Sequence, residues 1–174
     1  MTPKLYVCSL SRLPETVEKT QARHLVTLLG PTMNVETPVG IPSHRHLKLI
    51  ANDIATPLEG HILPGTDHVE QLIGFVESWD RAQPMLIHCW AGISRSTAAA
   101  YIAASVLNPN LDEVGLAQRL RTASPSATPN PRLIELADTL LGRDGRMIHA
   151  IAEIGRGADA YEGIPFELDY GSPT

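Results

Sequence analysis

The chain has 174 residues, of which 43% are apolar and 19% charged, so it is long enough for one domain with its own hydrophobic core. Its formal net charge of −5 provides no general attraction to nucleic acid or to anionic membranes. We therefore expect one soluble domain with neither kind of partner, in which any phosphate binding depends on individual arginines.

The first half of the chain alternates apolar runs with helical or turn-rich segments. Strands are predicted over residues 4–10, 24–30 and 45–54, with a helix over residues 14–21 between the first two. Residues 55–67 contain the prolines and glycines typical of a surface loop. An amphipathic helix is predicted from Val69, with Thr66 or Asp67 as its N-cap.

The second half begins with a near-continuous apolar run, residues 85–90, which predicts a central strand covered on both faces. The alanine-rich residues 96–108 predict a helix that is apolar nearly all round and therefore buried. Further helices are predicted over residues 112–123, 131–141 and 146–155. The alternation indicates an α/β fold with a central, mostly parallel sheet of about four to five strands and helices on both faces.

The compartment can be inferred from the two cysteines, Cys8 and Cys89, and from the lack of a secretory leader. So few cysteines favour free thiols in a reducing environment. The longest apolar run, residues 98–107, is about half as long as a bilayer-spanning helix. We therefore expect a cytoplasmic protein.

The stretch HCWAGISRST, residues 88–97, joins the predicted central strand to the buried helix. Ligands of such units bind at the carboxyl end of the strand, where the free amides of the helix N-terminus favour an anion. Gly92 permits the backbone angles of a curled loop, and Arg95 offers a planar fork for two oxygens of a tetrahedral anion. These residues predict a pocket for inorganic phosphate or a similar oxyanion.

The chemistry of this pocket depends on Cys89. Positive surroundings favour the thiolate, which would attack phosphorus and form a phosphocysteine intermediate. Ser96 can donate a hydrogen bond to the sulfur and make it a better leaving group in the second step. His88 is expected to orient the loop and not to act as a base, and we expect neither a metal nor another cofactor.

The stretch also resembles, residue for residue, the signature of the cysteine-dependent protein tyrosine phosphatases: His88, Cys89, five residues, Arg95 and Ser96. The short chain and the stretch SPSATPNPRLIELAD, which contains Asn130, resemble the compact dual-specificity-like branch of that family. The resemblance implies a phosphate loop, residues 89–95, made of Cys89, Trp90, Ala91, Gly92, Ile93, Ser94 and Arg95. It covers about residues 5–142, so we expect a single phosphatase domain over residues 1–155 and a C-terminal tail, flexible or packed on the domain, over residues 156–174.

The family also implies a general acid, an aspartate on a loop about thirty to forty residues before the cysteine. Asp53 lies 36 residues before Cys89, at the end of the third predicted strand, and is our candidate. The rivals are Asp67, which could instead cap a helix, and Glu59, which has no motif support. Asp53 could alternatively be a turn residue that bonds its own backbone.

These features predict a protein-tyrosine-phosphatase acting on phosphorylated proteins or peptides, with phosphoserine and phosphothreonine left open. Two alternatives stand beside it. Phosphoinositide and RNA triphosphate phosphatases belong to the same family, but they carry basic or strongly polar residues in a loop that is uncharged here between Cys89 and Arg95. A phosphoprotein-binding module without turnover would have no use for an activated thiol. Oxidative pairing of Cys8 with Cys89 is also left open.

Overall fold

A five-stranded sheet forms the centre of the computed structural model, which describes residues 3–171. Its strands are β1 (Leu5–Ser9), β2 (His24–Leu29), β3 (His46–Ile50), β4 (Met85–Cys89) and β5 (Phe166–Leu168). They lie in the order β3-β2-β4-β1-β5, and only β5 runs antiparallel to its neighbour. The predicted α/β fold with a mostly parallel sheet is therefore confirmed.

In the part of the chain that the structure describes, six α-helices pack around the sheet: α1 (Leu13–Thr20), α2 (Thr66–Glu77), α3 (Arg95–Leu107), α4 (Glu113–Ala123), α5 (Pro131–Leu140) and α6 (Arg146–Ile154). Helix α1 packs on one face, where its apolar side chains share a core cluster with Cys8, Leu25 and Leu86. The other five helices share the larger cluster on the opposite face, which contains Ile87 and Cys89. The structure thus confirms helices on both faces, and none of the helices in residues 3–171 has the length and apolar character to cross a bilayer.

Helix α3 lies at the centre of the larger layer, where it contacts α2, α4, α5 and the sheet. Every residue from Ser96 to Ser105 is buried, as its alanine-rich composition predicts. Small side chains allow close approach to the sheet and to neighbouring helices on all sides. The loop between β4 and α3 is therefore held between two of the most buried elements of the protein.

Two elements differ from the sequence prediction. Strand β3 ends at Ile50 and not at residue 54, because Asn52 turns the chain by bonding Ile62 through both its backbone N–H (2.9 Å) and its side-chain oxygen (2.7 Å). Helix α2 has Gly65 as its N-cap in place of Thr66 or Asp67. The side chain of His68, in the first turn, accepts a hydrogen bond from the Gly65 amide at 2.9 Å. It thereby satisfies the free amide of the N-cap residue, as the third helical residue does in a capping box.

The segment after residue 155 contributes β5, a strand that the sequence does not predict. Only three residues long, it buries Phe166 and Leu168 and exposes Glu167, which is too short a pattern to identify from periodicity. Tyr170 is also buried, and its hydroxyl donates to the carbonyl of Pro3 at 2.6 Å. Residues 166–168 thus pair with the sheet edge, while residues 172–174 of the predicted tail lie outside the described residues.

Candidate active site

Cys89 is the last residue of β4 and is only 2% exposed. Its Sγ lies 3.1 Å from Ser96 Oγ and accepts a hydrogen bond from the Gly92 amide at 3.3 Å. Gly92 has a φ of +70°, and a Cβ there would lie 2.9 Å from the backbone of Cys8 and Ser9. Both the backbone angle and the lack of space require glycine at this position.

The carbonyl groups of the phosphate loop are fixed from outside. Four of its carbonyl oxygens accept hydrogen bonds from amides outside the loop. The pairs are Trp90 with Leu10 (3.0 Å), Ala91 with Gly163 (2.8 Å), Ile93 with Thr128 (2.9 Å) and Ser94 with Asn130 (3.2 Å). In a trans peptide the carbonyl and the next amide point in opposite directions. Fixing these carbonyls outward therefore turns the amides of the following residues to the opposite, inner side of the loop, where the Gly92 amide donates to the Cys89 sulfur. These residues are Ala91, Gly92, Ser94 and Arg95.

Arg95 begins α3 and reaches back across the end of the sheet. Its Nη1 donates to the carbonyl of Ala51 at 3.0 Å, which fixes the guanidinium. Its Nε is buried and has no hydrogen-bond partner within residues 3–171. A buried donor without a partner is rare in a folded protein, and a bound oxyanion beside the sulfur would satisfy it.

Asp53 follows β3 in an exposed position at the edge of the phosphate loop. Its Oδ1 accepts a hydrogen bond from Ser94 Oγ at 2.7 Å and another from Asn130 Nδ2 at 2.9 Å. The structure therefore brings Asp53 to the loop. The rivals lie elsewhere: Asp67 is in the first turn of α2, with its Oδ1 3.8 Å from His68 Nδ1, and Glu59 is exposed in the loop before that helix.

Asn130 has a role that the sequence does not reveal. Its side-chain oxygen caps α5 by accepting from the amides of Arg132 (3.0 Å) and Leu133 (3.1 Å). Its Nδ2 donates to Asp53 and to the carbonyl of Ile54. One side chain thus joins a helix terminus to the loop that carries the candidate acid. In the sequence, its position before Pro131 indicates only a helix N-cap.

His88 connects the loop to a chain of hydrogen bonds across the sheet. Its Nδ1 donates a hydrogen bond to the carbonyl of Cys89 at 3.1 Å. Burial lowers the pKa of His88 to about 4, so the ring is neutral. Its Nε2 therefore accepts a hydrogen bond from Thr27 Oγ1 at 2.7 Å. Thr27 must then accept from His46 Nε2 at 2.8 Å, and burial lowers the pKa of His46 to about 4 as well. The neutral His46 accepts in turn from Thr37 at 2.8 Å. These bonds fix the orientation of the His88 ring, and its lowered pKa keeps the ring uncharged near neutral pH.

The C-terminal segment also contacts the loop. The Gly163 amide bonds the carbonyl of Ala91, and a Cβ at Gly163 would lie 2.7 Å from the carbonyl oxygen of Gly92. Beside it, the rings of Tyr161 and Trp90 meet edge to face, with centroids 5.4 Å apart. None of these contacts could be predicted, because the segment has no motif of its own.

Cys8 and Cys89 are both free thiols on adjacent strands, but their side chains lie on opposite faces of the sheet. In the register, Ser9 and not Cys8 is aligned with Cys89. A disulfide would require one side chain to cross the sheet, so the structure does not bring the two sulfurs into position for one. Burial raises the pKa of the Cys8 thiol to about 12, which makes it a core residue of low reactivity. Across residues 3–171, no three His, Cys, Asp or Glu side chains are grouped as a metal site.

No protein-family model matches the sequence, and no curated protein matches it significantly. Solved structures do match. DUSP15 has a TM-score of 0.65 at 18% identity, covering 90% of this chain and 95% of that one. Human DUSP28 has a TM-score of 0.61 at 19% sequence identity, and the match covers 81% of this chain and 93% of that one. The Yvh1 phosphatase domain from Chaetomium thermophilum has a TM-score of 0.55 at 18% identity, and the match covers 82% of this chain and 93% of that one. The chain therefore has the protein tyrosine phosphatase fold, in the compact form of the dual-specificity phosphatases.

Proposed function

We propose that the chain is a cysteine-dependent protein phosphatase that hydrolyses phosphotyrosine in proteins or peptides through a phosphocysteine intermediate. Phosphoserine and phosphothreonine are further candidate substrates. The fold supports the general assignment, because its structural neighbours are phosphatases. One observation carries the chemistry: the buried Nε of Arg95 has no partner in the described chain, and Arg95 closes the same loop in which the Gly92 amide donates to the Cys89 sulfur. A phosphoryl group would satisfy these donors together.

In the first step, the Cys89 thiolate attacks phosphorus and the bond to the leaving oxygen breaks. The inward amides and Arg95 stabilise the charge on the three equatorial oxygens. Asp53 donates a proton to the leaving oxygen, so that a phenol departs in place of a phenolate. The sulfur is left carrying the phosphoryl group.

In the second step, water attacks the phosphocysteine while the Asp53 carboxylate takes one of its protons. The sulfur leaves as a thiolate, which Ser96 stabilises by donating from Oγ at the observed 3.1 Å. Inorganic phosphate is the second product. Cys89 and Ser96 are already in contact, and Asp53 is bonded to Ser94 of the same loop, which supports the use of these groups in both steps.

The expected oxyanion has a counterpart among the structural neighbours. A mouse protein described as a dual specificity phosphatase was crystallised with zinc tungstate, and it has a TM-score of 0.59 at 18% identity. Tungstate, like phosphate, is a tetrahedral oxyanion. This supports the use of tungstate or vanadate as a probe of the present loop.

The proposal is tested by replacing Cys89 with Ser. A serine hydroxyl is a much poorer nucleophile, so we expect hydrolysis of an aryl phosphate to fall by about 10³-fold or more while tungstate still binds. Cys8→Ala is the matched control, since that thiol lies on the other face of the sheet. Parent-like turnover by Cys89→Ser would refute the covalent route.

A second assay separates the proposed substrate from the phosphoinositide and RNA triphosphate alternatives. The five residues between Cys89 and Arg95 are uncharged and the protein is acidic, so a multiply charged substrate is disfavoured. We expect a phosphotyrosine peptide to be hydrolysed faster than an inositol phospholipid or a 5′-triphosphate RNA. The opposite order would move the assignment to the preferred substrate. Binding of the peptide without any turnover would support the binding-module alternative.

A further inference from the structure

A cavity borders the phosphate loop on the side away from Asp53. It has a volume of about 310 Å³ and is lined by Leu10, Ser11, Trp90, Tyr161 and Glu162. Strands β1 and β4 are parallel and end together at Ser9 and Cys89, so the residues that follow them lie at the same end of the sheet. Asp53 approaches from β3, at the other side of β4. The cavity is therefore placed to receive a group next to one bound over Cys89.

Two aromatic rings form one wall of this cavity. Trp90 directly follows Cys89 and is 41% exposed, and Tyr161 is 80% exposed. Their planes meet at 76°, in an edge contact that leaves ring faces open to solvent. Exposed faces of Trp and Tyr attract cations, especially guanidinium and ammonium groups.

A carboxylate forms the other wall. Glu162 Oε2 accepts hydrogen bonds from Ser11 Oγ at 2.5 Å and Ser9 Oγ at 2.8 Å, and these bonds lower the pKa of Glu162. The group is therefore an anion of fixed orientation at neutral pH. It forms no salt bridge within residues 3–171: the positive charge of Arg12 helps to lower the pKa of Glu162, but Arg12 is itself paired with Glu15 at 3.0 Å. An anion held beside two aromatic rings is complementary to a cation.

We propose that this cavity is a specificity subsite that binds the side chain of an arginine or lysine close to the phosphorylated residue of a peptide substrate. The cation lies against the open ring faces and pairs with Glu162. The cavity is at the small end of the range of about 300–1,000 Å³ typical of ligand pockets, which suits one long side chain. The proposal rests on the proposed function, since the peptide is anchored by its phosphoryl group over Cys89.

The test uses a set of phosphotyrosine peptides in an alanine background, each with one arginine within three residues of the phosphotyrosine. We expect one position at which arginine raises kcat/KM about three- to tenfold over citrulline, its uncharged isostere, through KM alone. Glu162→Gln keeps the hydrogen-bonding shape and removes the charge, so it should abolish this preference. Hydrolysis of a small aryl phosphate should be unchanged. Glu70→Gln, an exposed carboxylate on α2, is the matched control and should keep the preference.

The same peptides are titrated against Cys89→Ser, which separates this proposal from the proposed function. If the parent protein hydrolyses no phosphate ester, but arginine still strengthens peptide binding to Cys89→Ser in a Glu162-dependent way, the subsite stands and the catalytic assignment fails. If the peptides are hydrolysed and arginine equals citrulline at every position, the subsite proposal is overturned. An arginine preference that survives Glu162→Gln, or a preference for an apolar residue at that position, overturns it as well.

Discussion

Asp53 and Arg95 belong to different parts of the chain, and hydrogen bonds fix each of them at the phosphate loop. Arg95 is held by the carbonyl of Ala51, and Asp53 is held by Ser94 and Asn130. Positioned groups of this kind can contribute more to catalysis than their chemistry alone, because the transition state meets them already oriented. We therefore expect a large loss of activity when the acid alone is replaced.

Replacing Asp53 with Asn removes the proton donor and keeps the shape. We expect kcat to fall by about 10²–10³-fold for a substrate with a poor leaving group such as phenol, and less for p-nitrophenol, which needs little protonation. The alkaline limb of the pH profile should flatten. The comparison is steady-state kinetics on both substrates with Asp67→Asn as control. If Asp67→Asn shows these losses and Asp53→Asn does not, the acid has been misassigned.

Most of the residues around the sulfur could be predicted from sequence because they lie within one short stretch. A strand fixes one end of the loop and a helix fixes the other, so local spacing determines the geometry of the residues that it carries: Cys89, Gly92, Arg95 and Ser96. Asp53 needed a family resemblance, since no local pattern links it to Cys89. Asn130 was recognised only as a helix cap, because its contact with Asp53 exists only in the folded chain.

At the scale of elements, the phosphate loop depends on segments that carry no catalytic group. Its carbonyls are bonded by the β1–α1 loop, by the segment before α5 and by the C-terminal segment at Gly163. The strands and helices that hold it could be predicted from apolar periodicity. Strand β5 and the Gly163 contact could not, because three residues give too little periodicity and a backbone hydrogen bond leaves no mark on the sequence.

Gly163→Ala tests the contribution of the C-terminal segment. The added Cβ would lie 2.7 Å from the Gly92 carbonyl oxygen, so the loop must shift and its amides lose alignment. We expect vanadate affinity to fall by about tenfold, with a smaller loss in thermal stability. Gly74→Ala in α2 is the control, because its Cβ would meet nothing within 4 Å. Vanadate inhibition unchanged by Gly163→Ala would show that the loop does not need this contact.

At the scale of the whole molecule, the sheet carries three buried or partly buried histidines, His24, His46 and His88. Burial lowers the pKa of all three, to about 4 for His46 and His88. The unfolded chain therefore binds these protons at a higher pH than the folded chain does. Their contribution to stability is complete above about pH 6.5 and is lost as the pH falls toward 4.

The free energy of unfolding should consequently decrease from pH 7 to pH 4.5, before most carboxylates are protonated. His88 alone contributes about 2 kcal/mol to this decrease, as the fully buried member of the set. Urea denaturation at several pH values measures it, and His88→Asn should reduce the slope. A stability that is constant or rises over this range would contradict the buried neutral state of these rings.

Trapping the phosphocysteine intermediate tests the covalent route itself. Ser96→Ala removes the hydroxyl beside the sulfur, so breakdown of the intermediate should slow and the phosphoenzyme should accumulate. The variant is mixed with a phosphoryl-labelled aryl phosphate, quenched in acid and digested, and the labelled peptide is sequenced by mass spectrometry. We predict that the phosphoryl group is on Cys89. Product formation with no label on the protein, or with the label on another residue, would contradict the account.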